Sequence, residues 1–228
     1  MLLILDTEEG SLSREAVQTA VAPSRAPNIL DAMERVTGAG FLLAATPVIA
    51  ASAAVVSILS RRSPFIAHQR VGEGGERLWV WKLRTMWSHQ APDPREQGWV
   101  EYIVAEPSRG SKNPFDNRVT SRFAKFMRRH SIDELPQLWH VARGEMSLVG
   151  PRPLTRAEVT RYYGARAGEL LSVKPGITGI WQTRGRSAIA FPERAAMDLE
   201  LVNNLNTRTY FSILLRTLPA LFHGKGAW

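Results

Sequence analysis

The chain has 228 residues, 29 Lys+Arg against 21 Asp+Glu, a formal net charge of +8 and no cysteine. That length holds one large domain or one domain with an appendage, and the missing cysteines exclude disulfides, cysteine-ligated zinc, iron–sulfur clusters and thiol nucleophiles. A mean hydropathy of −0.16 excludes a polytopic membrane protein while leaving room for one membrane element.

The charge is uneven along the chain. The first sixty residues carry three basic and six acidic side chains, residues 61–129 fourteen and seven, and the remainder twelve and eight. Most of the cations are arginine, the side chain suited to bidentate phosphate contacts. This surplus fits nucleic acid, an anionic membrane face or a phosphorylated small substrate as partner.

Residues 1–28 are rich in alanine, serine and acids, with Pro23 and Pro27, and read as a flexible lead-in. Val36 to Ser60 then runs 25 residues without a charge. As one helix that run reaches about 37 Å, enough to cross a hydrocarbon core of about 30 Å. Pro47 sits near its centre, where it removes a helix hydrogen bond and pushes Thr46 out of the α region. The Thr46 hydroxyl can satisfy a freed backbone group. Residues 29–62 are therefore either a kinked spanning helix or a helix–break–helix that enters and leaves by one face. Cations flank both ends, at Arg35 and at Arg61-Arg62, so the positive-inside rule puts the C-terminal part in the cytoplasm and leaves the N-terminus undecided. The plainer alternative, a buried core helix, is shorter than this run.

Residues 63–228 read as an α+β domain, mainly helical. Phe65–Ala67 and Leu78–Trp81 form a β-hairpin around a glycine-rich turn. Arg77 stands where a GxGxxG loop needs its third glycine, so no nucleotide loop is assigned. Residues 88–117 hold four prolines and make a long surface excursion with a short helix around Trp99–Val104. Helices follow at 119–129, at Ser131–Arg143 closed by Gly144, at Thr155–Tyr163, at Phe191–Leu201 and at Thr209–Leu221.

The chemistry concentrates in the second of these. Asp133 and Glu134 are adjacent carboxylates in a helix's first turn, where Ser131 and Glu134 also fit a capping box. Arg128 lies just upstream, and Arg152 follows between two prolines in Val149-Gly150-Pro151-Arg152-Pro153, which pre-orients its fork for phosphate. A carboxylate amid cations stays ionised, and can bind a divalent metal or attack phosphorus. Lys82 and Arg84 in Lys82-Leu83-Arg84-Thr85-Met86, and the Lys174–Gly179 and Gly185-Arg186 stretches, add cations beside glycine turns. Each alone reads as a solvated turn. The five histidines show no ligand spacing, and there is no Walker loop or GxSxG elbow.

Taken in order, these motifs resemble the bacterial sugar transferase family, the monotopic phosphoglycosyl transferases, from about Asp31 to the C-terminus. The resemblance rests on the proline-broken segment, Gln69-Arg70-Val71-Gly72, Lys82–Met86, Ser131–Leu138, Gly144–Pro153, Lys174–Gly179 and Gly185-Arg186. It implies transfer of sugar 1-phosphate from a UDP-sugar to polyprenyl (undecaprenyl) phosphate with release of UMP, as a first membrane step of exopolysaccharide synthesis. It further implies Asp133 as nucleophile and magnesium ligand and Glu134 as its dyad partner. Lys82, Arg84, Arg128, Arg152 and Arg186 would hold substrate phosphate, and Asp198 would be a further site residue. The segment around Thr46 and Pro47 would be a re-entrant helix in the bacterial inner membrane, with the catalytic domain on the cytoplasmic face. His140 stands in place of a common asparagine and Glu145 in place of an aspartate. A non-catalytic basic protein binding anionic lipid or nucleic acid is the alternative; it accounts for the arginines but not for the acidic dyad or the uncharged segment.

Overall fold

The computed structural model describes residues 29–87, 99–104, 121–185 and 188–223. The expected lead-in over 1–28, most of the excursion over 88–117 and Arg186 lie outside the described residues.

One apolar helix, α1 (Ile29–Ser60), opens the described chain, with a contour of about 48 Å over its 32 residues. Helical backbone continues through Pro47, where the sequence allows either a kinked helix or a helix–break–helix. Proline lacks the N–H that would bond the Leu43 carbonyl. The Thr46 hydroxyl donates to the neighbouring Leu42 carbonyl at 2.8 Å, so it braces the adjoining turn and does not take the freed group. One stripe of α1 is buried, at Gly38, Ser52, Ala53, Val56 and Ser60. The other exposes Met33, Val36, Phe41, Leu43, Val48, Ile58 and Leu59.

The expected hairpin forms from β1 (Phe65–Val71) and β2 (Arg77–Leu83), paired antiparallel with Ile66 opposite Lys82 and His68 opposite Val80. Gly74 and Gly75 take φ of +67° and +81° in its turn, a conformation open to glycine, and so serve the turn. Where a short helix was expected around Trp99–Val104 there is a strand, β3 (Val100–Ile103), parallel to β1 and giving the order β2–β1–β3. Val100, Tyr102 and Ile103 suit a pleated surface, and Glu101 is pinned by an ion pair to Arg84.

Further α-helices and a second small sheet complete the protein. Helix α2 (Arg122–Arg129) is capped by Ser121, whose hydroxyl accepts from the Ala124 N–H at 3.0 Å. A 3₁₀ segment (Ile132–Gln137) leads into α3 (Leu138–Arg143), which ends at Gly144 with φ +77°. Strand β4 (Ser147–Val149) pairs in parallel with β5 (Gly176–Thr178). Between them lie α4 (Arg156–Tyr163), closed at its start by a Thr155–Glu158 capping box, and the single turn α5 (Ala167–Leu170). After β5 come α6 (Ile180–Arg184), α7 (Phe191–Asn203) and α8 (Thr207–His223); α7 and α8 fall where helical spacing put them, and α6 stands where glycine turns were expected.

The core has several connected parts. Leu78 and Val80 pack with Leu138, Val141, Met146 and Leu148 beneath Leu42 and Ala45 of α1. Ala53 and Val56 pack with Leu83 and Met127. At the other end of α1 the contacts are polar. A single Glu34 oxygen accepts from Ser147 Oγ (2.6 Å), the Leu148 N–H (2.6 Å) and the Tyr210 hydroxyl (2.5 Å). Asp31 pairs with Lys174 at 3.1 Å. Both ends of the apolar helix are thus fastened to the same body.

Candidate active site

The acidic dyad sits on an unusual start. Ser131 has φ +56°, a left-handed conformation that costs a non-glycine residue, and it makes no side-chain cap. The expected capping box is therefore absent, and the predicted helix over Ser131–Arg143 is 3₁₀ in its first half. Pro136 supplies the reason: it has no N–H for an i→i−4 bond, so the segment winds with the tighter i→i+3 pattern. Released from capping, Glu134 turns outward to Lys82, 2.5 Å from its Nζ, with Arg152 Nη1 at 3.8 Å. The Asp133 carboxyl is pushed up to about 6, first by burial and then by Glu134, while Lys82 and Arg128 hold it down. It remains mostly ionised at neutral pH.

Above the dyad lies one face of the β1–β2 hairpin. Period-two alternation and the observed register put His68, Arg70, Val80 and Lys82 on that face. With Glu134 and Arg152 they line a shallow cleft. Burial, then Arg70 and Lys82, drive the His68 imidazole down to about 3, so it is neutral. Arg70 is lowered to about 10 by burial and by the facing Arg152, and keeps its charge.

Arg152 is held by the backbone around it. A Cβ on Gly176 would lie 2.0 Å from the Gly150 nitrogen, and one on Gly150 2.6 Å from the Lys174 carbonyl. The Gly150 N–H donates to Thr178 and the Gly176 N–H to Pro151. The Lys174–Gly179 stretch, which reads by itself as a solvated turn, thus forms one buried crossing with the Gly150 motif and helps present Arg152. Its guanidinium lies 5.7 Å from the Trp181 ring, which Arg194 also approaches at 4.9 Å.

The other expected site residues separate. Asp198 does not line the cleft: it is 1% exposed on α7, and its Oδ2 accepts from the Tyr163 hydroxyl at 2.9 Å. Burial raises its carboxyl to about 7, with Tyr163 and the adjacent Arg152 opposing. Arg84 is buried, donates from Nε to the Ser63 carbonyl at 2.7 Å and pairs with Glu101, so it fastens β3 and does not line the cleft. Thr46 and Pro47 lie within α1. Among the described residues no three acidic or histidine side chains converge on a metal site.

Three polar cleft residues were not expected from the sequence: His68, Arg70 and Gln137. The first two were legible in principle, because strand alternation puts them on the Lys82 face. The exchanged residues His140 and Glu145 find each other. His140, 4% exposed, accepts the Trp81 N–H on Nε2 at 3.2 Å and meets Glu145 through Nδ1 at 2.7 Å. The histidine thereby covers the open edge of β2 next to Lys82.

Comparison with known proteins points one way. A family model described as bacterial sugar transferase matches residues 27–224. A UDP-galactose-lipid carrier transferase of Erwinia amylovora is 35% identical over 192 residues, covering 83% of this chain and 40% of that protein. The exopolysaccharide production protein ExoY of Sinorhizobium fredii is 32% identical over 187 residues, 82% of each chain. A UDP-glucose:undecaprenyl-phosphate glucose-1-phosphate transferase of Caulobacter vibrioides is 35% identical over 191 residues, 80% of this chain and 65% of that one. The chain thus spans well under half the length of the Erwinia relative and most of the length of ExoY.

Proposed function

The chain belongs to the bacterial sugar transferase family of enzymes, and from that premise we propose that it moves sugar 1-phosphate from a UDP-sugar to polyprenyl phosphate and releases UMP. The observation that carries this reading is the Asp133–Glu134 pair set among Lys82, Arg128 and Arg152. Cleaving a diphosphate needs its negative charge matched and a nucleophile in line with the leaving oxygen.

In the proposed reaction an Asp133 carboxylate oxygen attacks the phosphorus that carries the sugar. The bond from that phosphorus to the bridging oxygen breaks, and UMP departs with the oxygen and its electron pair. An oxygen of polyprenyl phosphate then attacks the same phosphorus, the aspartyl bond breaks, and Asp133 returns as carboxylate. Glu134 holds Lys82 and Arg152 at the edge of the cleft, where they meet the phosphates. Arg128 favours the ionised form of Asp133. Asp133 also fits as the protein ligand of a magnesium ion, since one carboxylate plus substrate oxygens is a usual magnesium donor set. When bound, the ion supplies charge neutralisation at the diphosphate.

The lipid acceptor requires a membrane, and α1 supplies the element. An 18-residue window of it has mean hydropathy 2.2 with 17% buried. We place residues 29–62 as a re-entrant element and 63–228 as the catalytic domain on the cytoplasmic face of the inner membrane. Glu34 and Asp31 at one end and Val56 and Ser60 at the other all meet the same body, which supports entry and exit by one face. In that placement the exposed apolar side of α1 meets lipid.

The test is Asp133→Asn, assayed for UMP release from a panel of UDP-sugars with polyprenyl phosphate. UMP release is expected to vanish while the melting temperature holds. Retained turnover would remove Asp133 as nucleophile.

A further inference from the structure

Cations in this cleft outnumber what its one carboxylate can neutralise. Arg70, Lys82 and Arg152 line it with Glu134, and Glu134 is engaged by Lys82 and Arg152. Arg70 has no such ion-pair partner among the described residues. Among the described residues its guanidinium makes one hydrogen bond, from Nη1 to the carbonyl of its own neighbour Gln69 at 2.8 Å. Glu158 acts on it through space, but that carboxylate is taken up by the Thr155 N–H and hydroxyl at the start of α4. Arg70 is half-buried and faces another arginine. A partly desolvated like-charged pair is costly unless an anion sits between its members.

The charges around the site also fall into two groups. Lys82 and Arg128 are the cations that act on the Asp133 carboxyl, whereas Arg70 and Arg152 act on each other and, together with Lys82 and Arg84, on His68. Asp133 and Arg128 do not line the cleft, and Arg70, Arg152 and His68 do. Lys82 and Glu134 stand between the groups. A diphosphate has two phosphorus centres with different fates, one attacked and one leaving. The geometry offers each its own surroundings.

We infer that Arg70, Arg152 and His68 form the seat of the phosphate that leaves with the nucleotide, distinct from the place beside Asp133 where the attacked phosphorus lies. The inference rests on the proposed transferase function and assigns the nucleotide end of that site. The two guanidinium forks supply charge-assisted donors to the phosphate oxygens. His68, uncharged, adds a donor without adding to the repulsion. As charge builds on the departing UMP, the seat stabilises it. Arg70 is then a substrate-binding residue, and the free protein tolerates its loss because no fold contact depends on its charge.

The experiment titrates magnesium-free UMP, with uridine as control, into the full-length protein in detergent, for wild type, Arg70→Met and Arg70→Lys. Melting temperatures are recorded with and without UMP. Arg70→Met should weaken UMP by about tenfold or more, the scale of a charged hydrogen bond, and leave uridine unchanged. Its unliganded melting temperature should equal or exceed that of wild type, because a repulsion is removed. Arg70→Lys should fall between the two in UMP affinity. The seat is overturned if Arg70→Met binds UMP like wild type. It is equally overturned if the variant melts lower while keeping the UMP-induced shift, or if both variants fail to fold, since Arg70 is then a structural cation. If wild type turns over UDP-sugar but the Arg70 variants bind UMP normally, the seat alone fails. If wild type neither binds UMP nor releases it from any UDP-sugar, the transferase reading fails with it.

Discussion

Two acidic side chains flank Arg152 and receive opposite treatment. In the cleft, Glu134 lies against Lys82 at 2.5 Å and within 3.8 Å of Arg152, so it faces two cations. In the layer behind, Asp198 is enclosed with the Tyr163 hydroxyl, and burial lifts its carboxyl to about 7. The cleft holds opposite charges together at a surface a ligand can reach. The layer makes charge costlier on Asp198, beside Arg152 and the glycine crossing. The acids of the cleft and of the layer differ less in residue type than in how far burial strips them of water.

The comparison can be broken from either side. Gly176→Ala strikes the supporting layer hardest. A Cβ 2.0 Å from the Gly150 nitrogen meets backbone that cannot rotate away, so stability should fall by about 3 kcal/mol or more in a denaturant melt. Lys82→Met strikes the cleft instead. It should cut UMP release about a hundredfold, the usual loss for one preorganised donor, with little change in melting temperature.

Asp198→Asn separates the two regions through pH. The folded carboxyl titrates near 7, above its unfolded value of about 4, so the protonated form is favoured by folding. Wild type should therefore lose melting temperature as pH rises from about 4 to 7, and the variant should lose less, chiefly between about 6 and 7, since Asp133, raised to about 6, still contributes below that. An equal slope in both would mean that Asp198 is ionised in the fold. Smallest of all, Glu101→Gln releases Arg84 from β3. It should cost about 1 kcal/mol and leave UMP release untouched; a large loss of activity would return Arg84 to the site.

Much of the fold and of the site is legible in the amino-acid order. Helical spacing locates the helices over 156–163, 191–203 and 207–223, and alternation with turn glycines locates the hairpin. The acidic dyad and its neighbouring arginines stand out because unlike charges crowd beside fixed prolines and glycines. The departures have physical causes. Trp99–Val104 is too short to show a period, and its strand is decided by pairing with β1. The capping-box pattern at Ser131–Glu134 is real in sequence, but Lys82, from the hairpin, and Arg152, past α3, compete for the same carboxylate and win it. Arg84 and Arg70 look alike on paper, yet Glu101 neutralises only the first.

By itself the sequence determined that an uncharged, proline-bearing segment precedes a basic α+β body, and that no thiol nucleophile is present. Those facts are local, set by composition and by spacing along one strand or helix. Only the tertiary structure decided which cations share a cleft, which carboxylate meets them there and which is buried behind it. Those outcomes depend on distances between residues tens of positions apart, such as Lys82 with Glu134 and Tyr163 with Asp198, and on the burial that sets the strength of each charge.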